Sequence, residues 1–241
     1  MKNFVNVLVF HELVDNDINS FETVSIEVFE KLLQLIECKS NVCKNSENFD
    51  FILTFDDGYK SDVTIALPLL KKYKAKAIFF IAVKNIGLDG FMDWDDVRLL
   101  NKYGMEIGSH SLTHPNFKLL TSEEVEFELL ESKRRIEEEV NCEIRSFAFP
   151  YGAYSKHAVQ SAKNLGYKNV YCSDHGLNVS GNKNLLYRNS INSHTSMTDI
   201  SKILFPTIKR RIIWFLEDFV KYIVKVTLGN YYIKLRNLLW K

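Results

Sequence analysis

The sequence predicts an α/β protein of parallel βαβ units, wound as a single barrel-like body with a helical tail. Three observations predict it. Short apolar runs alternate with amphipathic segments along most of the chain, the pattern of strands joined by crossover helices. Each of three polar clusters, Asp56-Asp57, His110…His114 and Pro150-Tyr151-Gly152, falls just after an apolar run, where loops converge on one face of a parallel barrel. The length, 241 residues with 46% hydrophobic and 25% charged, suits one large core of this kind.

The elements follow in order. Val5–Phe10 is apolar and rich in β-branched residues, hence a strand. Ser25–Glu37 places Ile26, Phe29, Leu32, Leu33 and Ile36 at helical spacing, with Ser25 as N-cap. Phe49–Phe55 is a strand halted at Asp56-Asp57-Gly58; Ile65–Tyr73 is a helix and Ala77–Val83 a strand. Asp93–Lys102 is a short helix and Met105–Ser109 a strand ending at His110. Thr121–Val140 is the clearest helix, opening on a Thr121/Glu124 capping box and carrying Val125, Leu129, Ile136 and Val140 on one stripe. Arg145–Phe149 is a strand, Ser155–Leu165 a helix with Gly166 at its end, and Asn169–Cys172 a strand. No internal repeat or linker interrupts the chain before residue 205, so residues 1–204 read as one body and 205–241 as a tail.

Composition excludes several classes of function. Thirty-one Lys and Arg balance thirty Asp and Glu, so no global field recruits nucleic acid. The balance is uneven: from Phe205 onward eight basic residues face two acidic ones. Four scattered cysteines form no C-x-x-C pair and no disulfide framework. The N-terminus makes a poor signal peptide, and no apolar run is long enough to span a bilayer, which reads as a cytoplasmic protein.

The polar clusters offer a carboxylate and two imidazoles for a divalent ion, and a second carboxylate to take a proton from water. Asp56 and Asp57, adjacent on an extended strand end, project to opposite sides and divide these roles between them. His110 and His114, four apart, point the same way from a helical turn.

Thr54-Phe55-Asp56-Asp57-Gly58-Tyr59, Ser109-His110-Ser111-Leu112-Thr113-His114-Pro115 and Phe147-Ala148-Phe149-Pro150-Tyr151-Gly152 resemble the signature motifs of the polysaccharide deacetylases, carbohydrate esterase family 4. The likeness spans roughly Val5 to Ser196 and includes Trp94-Asp95 and Gly104-x-Glu106-Ile107-Gly108. Phe10-His11 and the helix around Phe29 are similar to the branch acting on bacterial surface poly-N-acetylglucosamine and related glycans. The resemblance implies a distorted (β/α) barrel and metal-dependent removal of acetyl from an N-acetylated sugar, free or lipid-linked. It assigns Asp57, His110 and His114 to the ion, zinc by preference, with Co2+, Mn2+ or Fe2+ also suited. It makes Asp56 the general base and the Tyr151 N–H an oxyanion donor, with Pro150 beside the substrate.

The family's arginine two residues before the third motif's proline is Ala148 here, a loss shared with the surface-glycan branch. Arg188 is a candidate to orient an active-site carboxylate or to bind substrate. The final Leu-x-His motif has only Asn192-Ser193-His194 as its counterpart, so His194 and His11 compete as general acid, ahead of His175 and His157. Trp94 either lines the sugar groove or sits in the core at a helix start. A catalytically impaired carbohydrate-binding pseudoenzyme and a hydrolase of another non-peptide amide are the competing readings.

In the tail, Ile212, Leu216, Phe219, Val220, Ile223 and Val226 recur at helical spacing, opposed by Glu217, Lys221 and Lys225. With Trp214, Phe215, Tyr231, Tyr232 and Trp240 among Lys and Arg, the segment suits the inner membrane surface, the barrel or a second subunit.

Overall fold

A computed structural model describes residues 3–15, 20–42, 49–181 and 185–228. The chain begins with β1 (Phe4–Phe10), a short pair β2 (Glu12–Val14) and β3 (Thr23–Ser25), and α1 (Ile26–Val42). It continues with β4 (Phe49–Phe55), a π-helical turn over Asp62–Ala66 running into α2 (Leu67–Lys72), β5 (Ala77–Ile81), α3 (Trp94–Lys102) and β6 (Glu106–Ser109). Then come α4 (Ser122–Val140), β7 (Ser146–Ala148), a 3-10 turn at Pro150–Gly152, α5 (Lys156–Asn164) and β8 (Asn169–Tyr171). Three two-residue strands follow, β9 (Asn178–Val179), β10 (Leu185–Leu186) and β11 (Asn189–Ser190), before α6 (Met197–Leu204) and α7 (Ile208–Leu228).

The expected parallel sheet is present, in the order β10-β8-β7-β6-β5-β4-β1-β11, with β9 antiparallel to β1. Its two ends meet in one stretch of chain. Leu185 and Leu186 pair with β8, and Asn189 and Ser190 pair with β1, so residues 185–190 nearly close the barrel. Asn178 holds this closure by donating to the Tyr187 carbonyl and accepting from the Tyr187 N–H, both at 2.9 Å. Periodicity could not reveal strands this short.

Side chains sort by strand alternation. Val7, Ile78, Phe80, Ala148 and Tyr171 form a small cluster inside the curved sheet. Leu8, Phe10, Phe55, Phe79 and Ile107 face outward and pack on Phe29, Leu70, Leu100 and Leu129 of the helices. Both anticipated caps form: Glu124 N–H donates to Thr121 Oγ1 at 3.3 Å, and Val28 N–H donates to Ser25 Oγ at 3.2 Å. Asn6, the polar residue inside β1, is fully buried and donates to the last carbonyls of α6, Ile203 and Leu204. It thereby ties the late chain to the first strand.

Helix α7 covers the far part of the tail only to Leu228; Tyr231, Tyr232 and Trp240 lie outside the described residues. Among the described residues no helix is long and apolar enough to cross a membrane.

Candidate active site

The three clusters do meet at the C-terminal ends of their strands. A cleft of about 700 Å3 is lined by Asp56, Asp57, His110, His114 and Tyr151, joined by His11, Glu22, His175, His194, Arg210 and Glu217.

Local backbone sets the first group. Asp56 follows β4 directly, its N–H donating to the Phe10 carbonyl at 3.0 Å. Asp57 then turns left-handed, φ 73°, followed by Gly58 at φ 81°. The expected separation of the two carboxylates by strand pleat is therefore replaced by a sharp turn, held where Asn85 Nδ2 donates to the Asp57 carbonyl. The loop after β6 is likewise no helical turn: Ser111 and His114 are both left-handed, at φ 73° and 57°. Glu128, reaching up from α4, accepts from the Leu112 and Thr113 N–H groups at 2.9 Å, and Ser111 Oγ accepts from the His114 N–H at 2.9 Å. The two imidazoles thus converge through irregular backbone pinned by a buried carboxylate.

The ligand atoms of Asp57, His110 and His114 lie within 4.8 Å of one another. His114 Nε2 is 3.0 Å and His110 Nε2 3.7 Å from Asp57 Oδ1. That oxygen is buried and accepts no well-formed hydrogen bond. A buried, unsatisfied carboxylate oxygen facing two imidazole nitrogens is costly alone and fits a divalent cation. His110 Nδ1 donates to the Ala148 carbonyl at 2.8 Å. A carbonyl only accepts, so the proton sits on Nδ1 and the Nε2 lone pair faces the cluster. Burial pushes the His110 imidazole down to about 4, which keeps it neutral and able to ligate at neutral pH. Burial pushes Asp57 upward, but the close approach of His114 and the nearby imidazoles outweigh it and hold the carboxyl well below its usual range. A second set with ligand spacing, His11, Glu22 and Asp57, shares the aspartate.

Asp56 is held differently. Arg188, fully buried between β10 and β11, grips both its oxygens, Nη1 to Oδ1 at 2.7 Å and Nη2 to Oδ2 at 2.8 Å. Arg188 Nε donates to the Cys172 carbonyl at 2.9 Å, which fixes the guanidinium plane. Burial raises the Asp56 pKa, and the Arg188 charge with its guanidinium hydrogen bonds reverses this to a net lowering. Arg188 thus makes to Asp56 the charged hydrogen bonds that Ala148 cannot supply. A substrate-contacting role for it does not agree with its complete burial under Asp56.

The remaining candidates separate. Tyr151 sits at φ 58° in the 3-10 turn with its ring 4.6 Å from that of His114. Pro150, in the same turn, is buried. Trp94 packs at the start of α3 against the main core, away from the residues lining the cleft, so of the two expectations the structural one holds. His194 lines the cleft and is exposed, its ring 5.4 Å from Phe21, and His11 lines it half-buried. His157 is exposed on α5, outside the cleft.

Sequence reasoning underrated His175. Its Nδ1 is 2.8 Å from Asp218 Oδ1, its own N–H donates to Asp218 Oδ2 at 2.7 Å, and its ring stacks on Trp214 at 5.8 Å. Asp218 and Trp214 belong to α7, so the tail helix completes the wall. Forty-three residues separate the pair, and no spacing rule links them.

The polysaccharide deacetylase family model matches residues 44–170. Among curated sequences, the chain is similar to YxkH of Bacillus subtilis, named "Putative polysaccharide deacetylase YxkH", with 29% identity over 117 residues, 48% of this chain and 42% of that protein. It is similar to the peptidoglycan-N-acetylglucosamine deacetylase PgdA of Listeria monocytogenes, with 31% identity over 124 residues, 49% of this chain and 25% of PgdA. The aligned part thus spans less than half of either relative. The Streptococcus pyogenes deacetylase PplD in complex with acetate superposes with a TM-score of 0.75 over 86% of this chain and 100% of that one, at 22% identity, a likeness of fold.

Proposed function

The chain belongs to the polysaccharide deacetylase family, and from that premise we propose that it is a metal-dependent hydrolase removing acetyl from an N-acetylated sugar of a polysaccharide or glycolipid. The observation that carries the reading is the division of the two aspartates: Asp57 faces His110 and His114, whereas Asp56 is clamped by Arg188.

Asp57, His110 and His114 hold the ion, zinc or another divalent cation, which supplies Lewis acidity toward the acetamide carbonyl and lowers the pKa of water. Asp56 is the proton acceptor. Its Arg188 clamp keeps it ionised and aimed, with Oδ2 3.7 Å from His110 Nε2. The Tyr151 N–H, displayed by the left-handed turn, serves the oxyanion. The leaving nitrogen needs a proton, and His175 is best held for that task. A carboxylate on Nδ1 orients its ring and fixes its tautomer, as in other His–Asp pairs. His194 and His11 line the same cleft and are the alternative donors.

The arginine clamp also weighs against the pseudoenzyme reading, because Ala148 no longer leaves the base untuned. Acetate release from N-acetylated oligosaccharides by the metal-loaded chain tests the proposal. Metal binding without release from N-acetylglucosamine oligomers or other N-acetylated glycans would reject it and return the pseudoenzyme.

A further inference from the structure

An amphipathic helix packed on a soluble body ordinarily turns its apolar face inward. Helix α7 does the reverse. Ile208, Ile212, Phe215, Leu216, Phe219 and Ile223 form one continuous stripe about four turns long, and they are 43–75% exposed. The opposite side makes the contacts: Trp214 is buried to 2%, Asp218 holds His175, and Arg210 and Glu217 line the cleft. The helix is attached through a polar face and one tryptophan, and it presents its hydrophobic face outward.

We propose that this face seats in the surface of an anionic lipid bilayer. Charge favours that occupant. Residues from Phe205 onward carry a net +6, and Lys209 and Arg211 lie exposed beside the stripe. Pairing two copies through this face would bring like charges together, whereas anionic headgroups complement them. Large apolar residues flanked by Lys and Arg on a non-spanning helix are the pattern of interfacial binding. The geometry also couples docking to the cleft. One side of α7 lies in the interface and the other forms the wall that holds Asp218 and Glu217, so the cleft stands about one helix diameter, roughly 10 Å, from the lipid surface. Resting on the proposed deacetylation, this places membrane-attached glycans, rather than free ones, within reach.

The test uses the full chain and its Ile212→Glu, Phe215→Glu, Phe219→Glu triple variant, which alters only exposed side chains. On vesicles of phosphatidylcholine with phosphatidylglycerol, the native chain is expected to sediment with lipid, more weakly in pure phosphatidylcholine and in high salt. The triple variant should bind at least about tenfold less while keeping its circular dichroism and its acetate release from a soluble N-acetylated oligosaccharide. Equal binding by both chains, or a native chain left in the supernatant, overturns the proposal. So does a concentration-dependent dimer abolished by the same substitutions, which would make the face a self-interface. Failure of acetate release on soluble sugar would sink the proposed activity and leave the sedimentation result standing.

Discussion

The cleft has two walls of different construction. On one, Asp56, Asp57, His110, His114 and Tyr151 each stand within a few residues of a barrel strand, and Asp57, His114 and Tyr151 are aimed by their own left-handed turns. On the other, His175, His194 and the α7 side chains, with Arg188 buried behind Asp56, are placed by contacts between segments far apart in sequence, such as the 132 positions from Asp56 to Arg188. The first wall carries the residues proposed for the ion and the base. The second carries the proposed proton donors, with the cation that pairs with Asp56 behind it. Chemistry set by short-range backbone is thus served by groups whose positions depend on the barrel having closed.

Substitutions on the first wall should have the largest effects and should separate its two aspartates. His114→Ala and Asp57→Asn are expected to lose both bound metal and turnover, measured by metal content after desalting and by acetate release. Asp56→Asn should keep its metal and lose about 10²- to 10⁴-fold in rate, the usual range for a positioned acid or base. Full activity in Asp56→Asn would reject it as the base and erase the distinction between the pair.

Next comes the bond joining the two walls. Arg188→Met leaves the buried Asp56 carboxylate without its cation, and breaking such a pair costs about 3–5 kcal/mol, to be read from urea unfolding. Arg188→Lys should recover little, because an ammonium cannot reproduce the two parallel hydrogen bonds at 2.7 and 2.8 Å. An unchanged midpoint in Arg188→Met would show that the closure stretch is not anchored by this contact.

The same contrast explains what could be read without coordinates. Strands β1, β4 to β8 and helices α1 to α5 announce themselves by period, caps and the turn residues that stop them. The metal candidates and Asp56 were legible because each follows such a strand. Strands β9 to β11 have two residues each, too few for any period, and so the barrel's closure was invisible. Arg188 stood out only as a candidate orienting group, since its partner lies across that closure. His175 lost to His194 because the motif comparison looks along the chain, while Asp218 approaches from a helix that sequence reading had set apart as a tail. The tail's outer stripe was legible, but that it faces outward was not, because amphipathicity alone does not say which face docks.

The second wall's own contribution is the smaller kinetic effect and needs a chemical discriminator. His175→Gln should lose about 10²-fold on an N-acetylated sugar but little on p-nitrophenyl acetate, whose leaving group departs without a proton. Asp218→Asn should show the same pattern more weakly. If His194→Gln gives this split and His175→Gln does not, the proton donor is His194 instead.

The smallest effect concerns a third buried aspartate. Asp62, in the π-helical turn, is fully buried and neither carboxylate oxygen has a hydrogen-bond partner. Burial, then the Asp57 and Asp56 charges, push its pKa well above the usual carboxylate range. Asp56 is lowered, so the two oppose each other in pH-dependent stability. The Asp56 contribution is present above the unfolded carboxylate value, about 4, and is lost as pH falls through the lower folded value. Asp62 holds its proton in the folded state past that point, so its contribution turns unfavourable as pH rises from about 4 toward its own folded value. Asp62→Asn removes the ionisation while keeping the shape. It should match the native chain in thermal unfolding near pH 4 and exceed it by about 1–3 kcal/mol at higher pH, the cost of an uncompensated buried polar group. A variant less stable than native at every pH would mean that Asp62 is ionised and bound within the fold, and the opposition between the two buried aspartates would disappear.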